Sequence, residues 1–163
     1  MSIEVNEVKV VFEEAQKVIG KKDISVIDVG CGDGRWYPHL KEWGIGEYLG
    51  VDISENLIKA GQLRFPHLKD RFFASKVEDL DLTKTQGDKK DLIFSYTCFE
   101  HITKEEWPKA VEALKKVGHY LLLVEPINFT SRYYCHAHDY EKDFEVIKKA
   151  ELKDKVILLC RLN

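Results

Sequence analysis

The chain has 163 residues, the length of one domain, which leaves no room for two full cores. Hydrophobic residues at 44% and charged residues at 33% describe an ordinary globule and exclude a disordered or fibrous chain. Twenty-five Lys and Arg against 28 Asp and Glu give a formal charge of −3, which argues against indiscriminate nucleic-acid binding and leaves a local basic patch open.

Val8, Val11, Phe12, Ala15, Val18 and Ile19 recur at helical spacing and predict an amphipathic helix from about residue 6 to 19, ended by Gly20. Ser25–Val29 reads as a buried strand, because its apolar residues Val26, Ile27 and Val29 are β-branched. It breaks into Gly30, Gly32 and Gly34, after which Trp36, Leu40 and Trp43 restore a helical period. A strand, a glycine turn and a helix N-terminus present free N–H groups to an electron-rich ligand. The next strand, Glu47–Asp52, ends in a carboxylate about twenty residues beyond the glycines, where an acid can accept ribose hydroxyls. A dinucleotide fingerprint would need its third glycine at position 35, which is Arg35. That departure favours a mononucleoside ligand over NAD.

Ser54 predicts the N-cap of a helix carrying Leu57, Ile58 and Leu63 and stopping before Pro66. Arg71–Ser75 predicts a third strand, Thr83–Lys89 a polar loop, and Asp91–Tyr96 a fourth strand. Thr103 and Glu106 form a capping-box pattern before a helix that turns Trp107, Val111, Leu114 and Val117 inward and is closed by Gly118. His119–Glu125 is an apolar fifth strand, cut off at Pro126. Ile127 to Tyr140 is expected to be irregular with at most one short helix, before a hairpin of Phe144–Glu151 and Lys155–Arg161. Strands alternating with helices predict a largely parallel sheet covered on both faces. The terminal hairpin departs from that alternation.

Val26–Gly34, taken with Leu49–Ser54, resembles the cofactor signature of the class I S-adenosylmethionine-dependent methyltransferases, and the likeness runs through nearly the whole chain. The resemblance implies an α/β fold, a three-layer Rossmann-like sandwich. Its mostly parallel seven-stranded sheet would have order 3-2-1-4-5-7-6, with the last strand antiparallel. It implies one domain over residues 1–163, with the helix inside 1–22 covering the sheet and no separate substrate domain. The implied cofactor is S-adenosyl-L-methionine. Asp28 would help hold its methionine amino group, with Gly30, Cys31, Gly32 and Gly34 along the methionine part. Asp52 would take the ribose, Ile53 would pack on adenine or ribose, and Val77 would give adenine a backbone contact. Lys76 stands where the family usually has an acid, so Glu78, Asp79 or a backbone carbonyl would have to substitute. Tyr96 and Thr97 would meet the cofactor from its open side.

Three histidines are candidates for proton transfer, since imidazole titrates near neutrality. His101 is the central residue of a Glu-His-Ile sequence, and this histidine is usually architectural in the resembled family. His136 and His138, with Asp139, form a compact group that could contact the acceptor or bind a metal. No third and fourth ligand are evident, so no metal is expected. The aromatic stretch Arg132–Tyr140 and the opening helix are the expected acceptor walls. The expected function is methyl transfer to an acceptor, with a small molecule favoured because no appended domain is present. The alternatives are a non-catalytic S-adenosylmethionine-binding partner subunit and an RNA or protein methyltransferase. Nucleic acid stays open as an acceptor, and the oligomeric state is not legible. No apolar run reaches membrane-spanning length, and no basic-then-apolar leader opens the chain. A cytoplasmic location without membrane partners is therefore expected. Cys31, Cys98, Cys135 and Cys160 show no zinc or redox spacing, which predicts reduced thiols.

Overall fold

Val26, Ile27 and Val29 are β-branched and fully buried, which suits the centre of a pleated sheet, and they form β1 (Ser25–Val29). In the computed structural model, which describes residues 2–127 and 135–163, β1 pairs in parallel with β2 (Glu47–Asp52) and β4 (Lys90–Tyr96). β3 (Phe72–Ala74) extends the sheet beside β2, and β5 (Gly118–Pro126) extends it beside β4. β7 (Lys155–Arg161) inserts antiparallel between β5 and the edge strand β6 (Glu145–Glu151). The seven strands thus run β3-β2-β1-β4-β5-β7-β6, the order that the resemblance implied.

Strand side chains alternate between faces, and two separate cores follow from that period. Leu121, Leu123, Leu158 and Cys160 point to one side, under α4 (Trp107–Val117) and α5 (Tyr140–Asp143). Leu122, Val124, Ile157 and Leu159 point to the other, under α1 (Ile3–Ile19), α2 (Tyr37–Glu42) and α3 (Glu55–Arg64). Burying each such side chain contributes about 1.5–3 kcal/mol, so the sheet is held from both sides. Among the described residues no helix is long and apolar enough to cross a membrane.

Several boundaries differ from the sequence expectation for identifiable reasons. α1 begins at Ile3, three residues early, because Ser2 caps it by accepting the Val5 N–H; Gly20 ends it in the left-handed conformation at φ 85°. The helix after the glycine turn opens only at Tyr37. Gly32 and Gly34 have φ of 56° and 79°, which no right-handed helix contains, and Pro38 sits in the first turn that follows. The Thr103–Glu106 box forms, with Thr103 Oγ1 donating to Glu106 Oε2 at 2.8 Å, but regular helix starts one turn later at Trp107. Gly118 is extended (φ −135°, ψ 157°) and begins β5 instead of capping α4. A Cβ there would stand 2.5 Å from Ile93, so glycine serves close packing at that point. Among the described residues of the connection between β5 and β6 stands the four-residue α5, capped by Asp139, which accepts the Lys142 N–H.

Candidate functional site

The parallel strands all end at one edge of the sheet, where open α/β sheets bind ligands. Gly30 leaves β1 with φ 76°, and a Cβ on it would lie 2.5 Å from the Cys98 side chain. The turn therefore approaches the loop after β4 more closely than any other residue type permits. The N–H groups of Gly30 and Cys31 both donate to Val51 O, at 2.8 and 3.0 Å. Gly32 lies over open space, and its N–H donates to Asp52 Oδ2 at 2.9 Å. Asp52 Oδ1 accepts the Ser54 N–H, also at 2.9 Å. Two backbone donors from two loops thus fix one carboxylate. Each oxygen keeps a lone pair for a further donor.

That carboxylate borders a cleft of about 300 Å³. The cleft brings together Gly30, Asp52, Ile53, Val77, Glu78, Thr97 and His101 of the predicted site residues. Ile53 is 68% exposed, an apolar side chain left for a ligand to cover. Val77 and Glu78 stand on the single turn Val77–Asp79 after β3. Lys76 is drawn off by Glu78 and Glu106, each at 3.3 Å. Thr97 has φ 50°, a left-handed conformation that strains a β-branched residue by about 1–3 kcal/mol. Its N–H is held by Val124 O at 2.8 Å.

The other predicted residues lie off the cleft wall. Asp28 is buried beneath the turn and accepts the Tyr48 hydroxyl at 2.8 Å. Burial pushes its carboxyl up to about 7, against the stabilising Tyr48 bond. Cys31 is buried too, and burial pushes its thiol well up, so it packs as an apolar group. Gly34 abuts Phe72 and Phe65. Tyr96 turns to the α1 face, where its hydroxyl donates to Glu4.

His136 and His138 join the loop after β4 without lining this cleft. The His136 N–H donates to Glu100 O at 2.6 Å. His138 Nε2 lies 3.0 Å from both Phe99 O and Ile102 O, and its ring stacks on Trp107 at 4.2 Å. Carbonyls only accept, so Nε2 carries the proton. Burial holds the ring below its usual pKa and hence neutral. His138 lines a second cavity, of about 290 Å³, with Pro126, Tyr140 and Lys149. Arg132, Tyr133 and Tyr134 of the expected acceptor wall lie outside the described residues. Among the described residues no group of three or more His, Cys, Asp or Glu is placed to hold a metal ion.

Residues 26–118, more than half of the chain, match the family described as "Methyltransferase domain". The chain belongs to the class I S-adenosylmethionine-dependent methyltransferases. S-adenosylmethionine is the cofactor of this methyltransferase. It is 29% identical over 107 residues to a demethylmenaquinone methyltransferase of Staphylococcus carnosus (strain TM300), a match covering 62% of this chain and 40% of that one. It is 31% identical over 105 residues to phosphoethanolamine N-methyltransferase 1 of Arabidopsis thaliana, covering 62% and 21%. The match therefore spans less than half the length of these relatives. Among solved structures, the magnesium protoporphyrin IX methyltransferase of Synechocystis PCC 6803 with bound SAH shares the fold at a TM-score of 0.72 and 19% identity, over 98% of this chain and 82% of that one. A SAM-dependent methyltransferase from Aquifex aeolicus does so at 0.68 and 18%, over 99% and 100%.

The methyltransferase also contains a positioning residue that the sequence reading passed over as part of an apolar strand. Glu125 is fully buried at the end of β5, and its Oε1 accepts the Cys98 and Phe99 N–H groups at 3.0 and 2.9 Å. Burial pushes this carboxyl up to about 7, against the lowering effect of the donated N–H groups. A lone carboxylate after four consecutive apolar residues, Leu121–Val124, was the available signal.

Proposed function

We propose that this methyltransferase binds S-adenosylmethionine across the ends of β1, β2 and β4 and transfers its methyl group to a small-molecule acceptor. The observation that carries the reading is the Gly32–Asp52 bond at 2.9 Å, which joins the open glycine turn to a fixed carboxylate. In this reading Asp52 accepts both ribose hydroxyls, and Ile53 and Val77 cover the adenine. The turn from Gly30 to Gly32 runs along the methionine. Glu78, which lines the cleft, accepts from the adenine amino group in this reading. Asp28, Cys31 and Gly34 support the turn from beneath, and Thr97 faces the reacting end.

The chemistry asks mainly for alignment and exclusion of water. A lone pair of the acceptor forms a bond to the methyl carbon as the carbon–sulfur bond breaks. The bonding pair stays on sulfur, which leaves as a neutral thioether. An oxygen acceptor must also lose its proton, and in this reading His101, which lines the cleft, receives it. An amine acceptor need only arrive deprotonated. A small acceptor is supported by the names of the curated relatives, which act on demethylmenaquinone and phosphoethanolamine.

Calorimetry with S-adenosylmethionine, followed by a labelled-methyl screen over metabolites, peptides and RNA, tests the proposal. The expected result is saturable cofactor binding and transfer to a metabolite. Transfer confined to RNA or peptide would replace the acceptor class. Saturable binding with no transfer in any class would replace the enzyme by a non-catalytic cofactor-binding subunit.

A further inference from the structure

On the α1 face, beside the glycine turn, charged and aromatic side chains gather around the last residue of β4. The Tyr96 hydroxyl donates to Glu4 of α1. Lys155, which opens β7, pairs with the same Glu4 at 2.7 Å and stands 5.5 Å from the centre of the Tyr96 ring. The Arg35 guanidinium lies 5.3 Å from that centre, and Trp36 packs its ring at 4.8 Å. Two cations thus share one ring, and the one carboxylate between them is already bonded to Lys155 and Tyr96.

Arg35 is exposed and makes no ion pair among the described residues. Its neighbour Asp33 is taken by Arg64 at 3.0 Å. Glu4 and the buried Asp28 act on Arg35 only at longer range. The opposite end of the cleft carries the carboxylates of Asp52, Glu78 and Glu106 against the single cation of Lys76, which pairs with the last two at 3.3 Å, so it keeps a net negative charge. An anion entering the site is therefore steered towards the Tyr96 end. Arg35 follows Gly34 directly, and Thr97, which follows Tyr96, lines the cleft. Neither Arg35 nor Lys155 lines the cleft itself; with the Tyr96 ring they stand beside it, on the α1 side of the glycine turn.

We propose that Arg35, Lys155 and the Tyr96 ring form the subsite that receives an anionic group of the acceptor, a carboxylate or a phosphate. The inference rests on the methyl-transfer reading, which places the reacting methyl at this end. A guanidinium meets either oxyanion with two parallel N–H bonds, and Lys155 adds a point charge beside it. The aromatic floor suits an acceptor whose anion is attached to a flat apolar body.

Protein saturated with S-adenosylhomocysteine would be titrated with benzoate and phenyl phosphate, and with benzamide and benzylamine as neutral and cationic counterparts. The two anions are expected to bind saturably, more weakly as salt is raised, and benzylamine is not. Arg35→Gln is expected to weaken both anions about three- to tenfold, with Lys155→Gln acting in the same direction. Arg35 has no ion pair to lose, so that variant is expected to keep the wild-type melting temperature and its affinity for S-adenosylhomocysteine. Equal binding of benzylamine and benzoate would overturn the proposal, as would anion affinities unchanged in both variants. Loss of S-adenosylhomocysteine affinity in Arg35→Gln, with anion binding intact, would overturn it too, by assigning Arg35 to the cofactor's own carboxylate. If wild type did not bind S-adenosylhomocysteine, the methyl-transfer reading would fail on that titration alone. The same anion series in cofactor-free protein would still decide the subsite.

Discussion

The Phe99 N–H donates to Glu125 Oε1 at 2.9 Å, so a carboxylate buried at the end of β5 holds the loop that follows β4. That loop carries Cys98, against which Gly30 packs, and His101 on the cleft rim. One side chain thereby couples the fifth strand to the geometry of the glycine turn.

Removing the acceptor exposes that coupling. Glu125→Ala leaves buried N–H groups without partners and is expected to lower stability by about 2–4 kcal/mol. Burial raises both the Glu125 and Asp28 carboxyls to about 7 in the folded chain. Between the ordinary values of 3.8 for Asp28 and 4.5 for Glu125 and that point the folded state binds more protons. Stability is therefore expected to fall as pH rises from about 4 to about 7. Urea melts across this window check it, and Glu125→Gln should flatten the slope because one of the two titrations is gone. An unchanged slope would show that Glu125 does not titrate there.

Asp52 is expected to dominate cofactor affinity. Asp52→Ala removes a charged acceptor of the ribose hydroxyls and should weaken S-adenosylmethionine about 10- to 100-fold in calorimetry. It also orphans the Gly32 and Ser54 N–H groups, so Asp52→Asn, which keeps one acceptor oxygen, should fall between. Equal affinities for all three would remove Asp52 from the site.

The glycines should separate stability from binding. Gly30→Ala places a Cβ 2.5 Å from Cys98 at φ 76° and is expected to cost about 2–4 kcal/mol in thermal melts. Gly32→Ala meets nothing within 4 Å, so only the strain of its left-handed backbone remains, about 1–2 kcal/mol. Its Cβ would project into the space proposed for the cofactor. Affinity should therefore fall more than stability does, and the reverse ordering would move the methionine part elsewhere.

The histidines should divide in the same way. His138→Phe preserves a ring against Trp107 but strips the donor from two carbonyls, and is expected to destabilise by about 1–3 kcal/mol. His101→Gln changes a cleft-lining residue that lies 3.7 Å from Glu100 and should destabilise less than His138→Phe. If His101 takes the acceptor's proton, turnover in His101→Gln drops while S-adenosylmethionine affinity stays. Unchanged turnover with a verified acceptor would exclude it as an essential base.

What the sequence by itself determined is the local and strand-end chemistry. Three glycines on alternate positions after Val29, and Asp52 one strand later, are short-range patterns. The Ser54 cap, the Gly20 stop and the closing hairpin are likewise written within a few residues of where they act. Periodicity also assigned Leu122 and Leu123 to a buried strand, though not to opposite cores. Only the tertiary structure decided which side chains enter the cleft. Glu125 and Phe99 are 26 residues apart, and His138 and Phe99 are 39 apart. They meet because β4 and β5 pair in register and residues 136–138 lie against the loop after β4. The same holds for Arg35, Tyr96, Lys155 and Glu4, drawn from four elements that only strand order brings together. A side chain's role at such points depends on what burial leaves it to bond, and burial is a property of the packed sheet, not of the neighbouring residues in the chain.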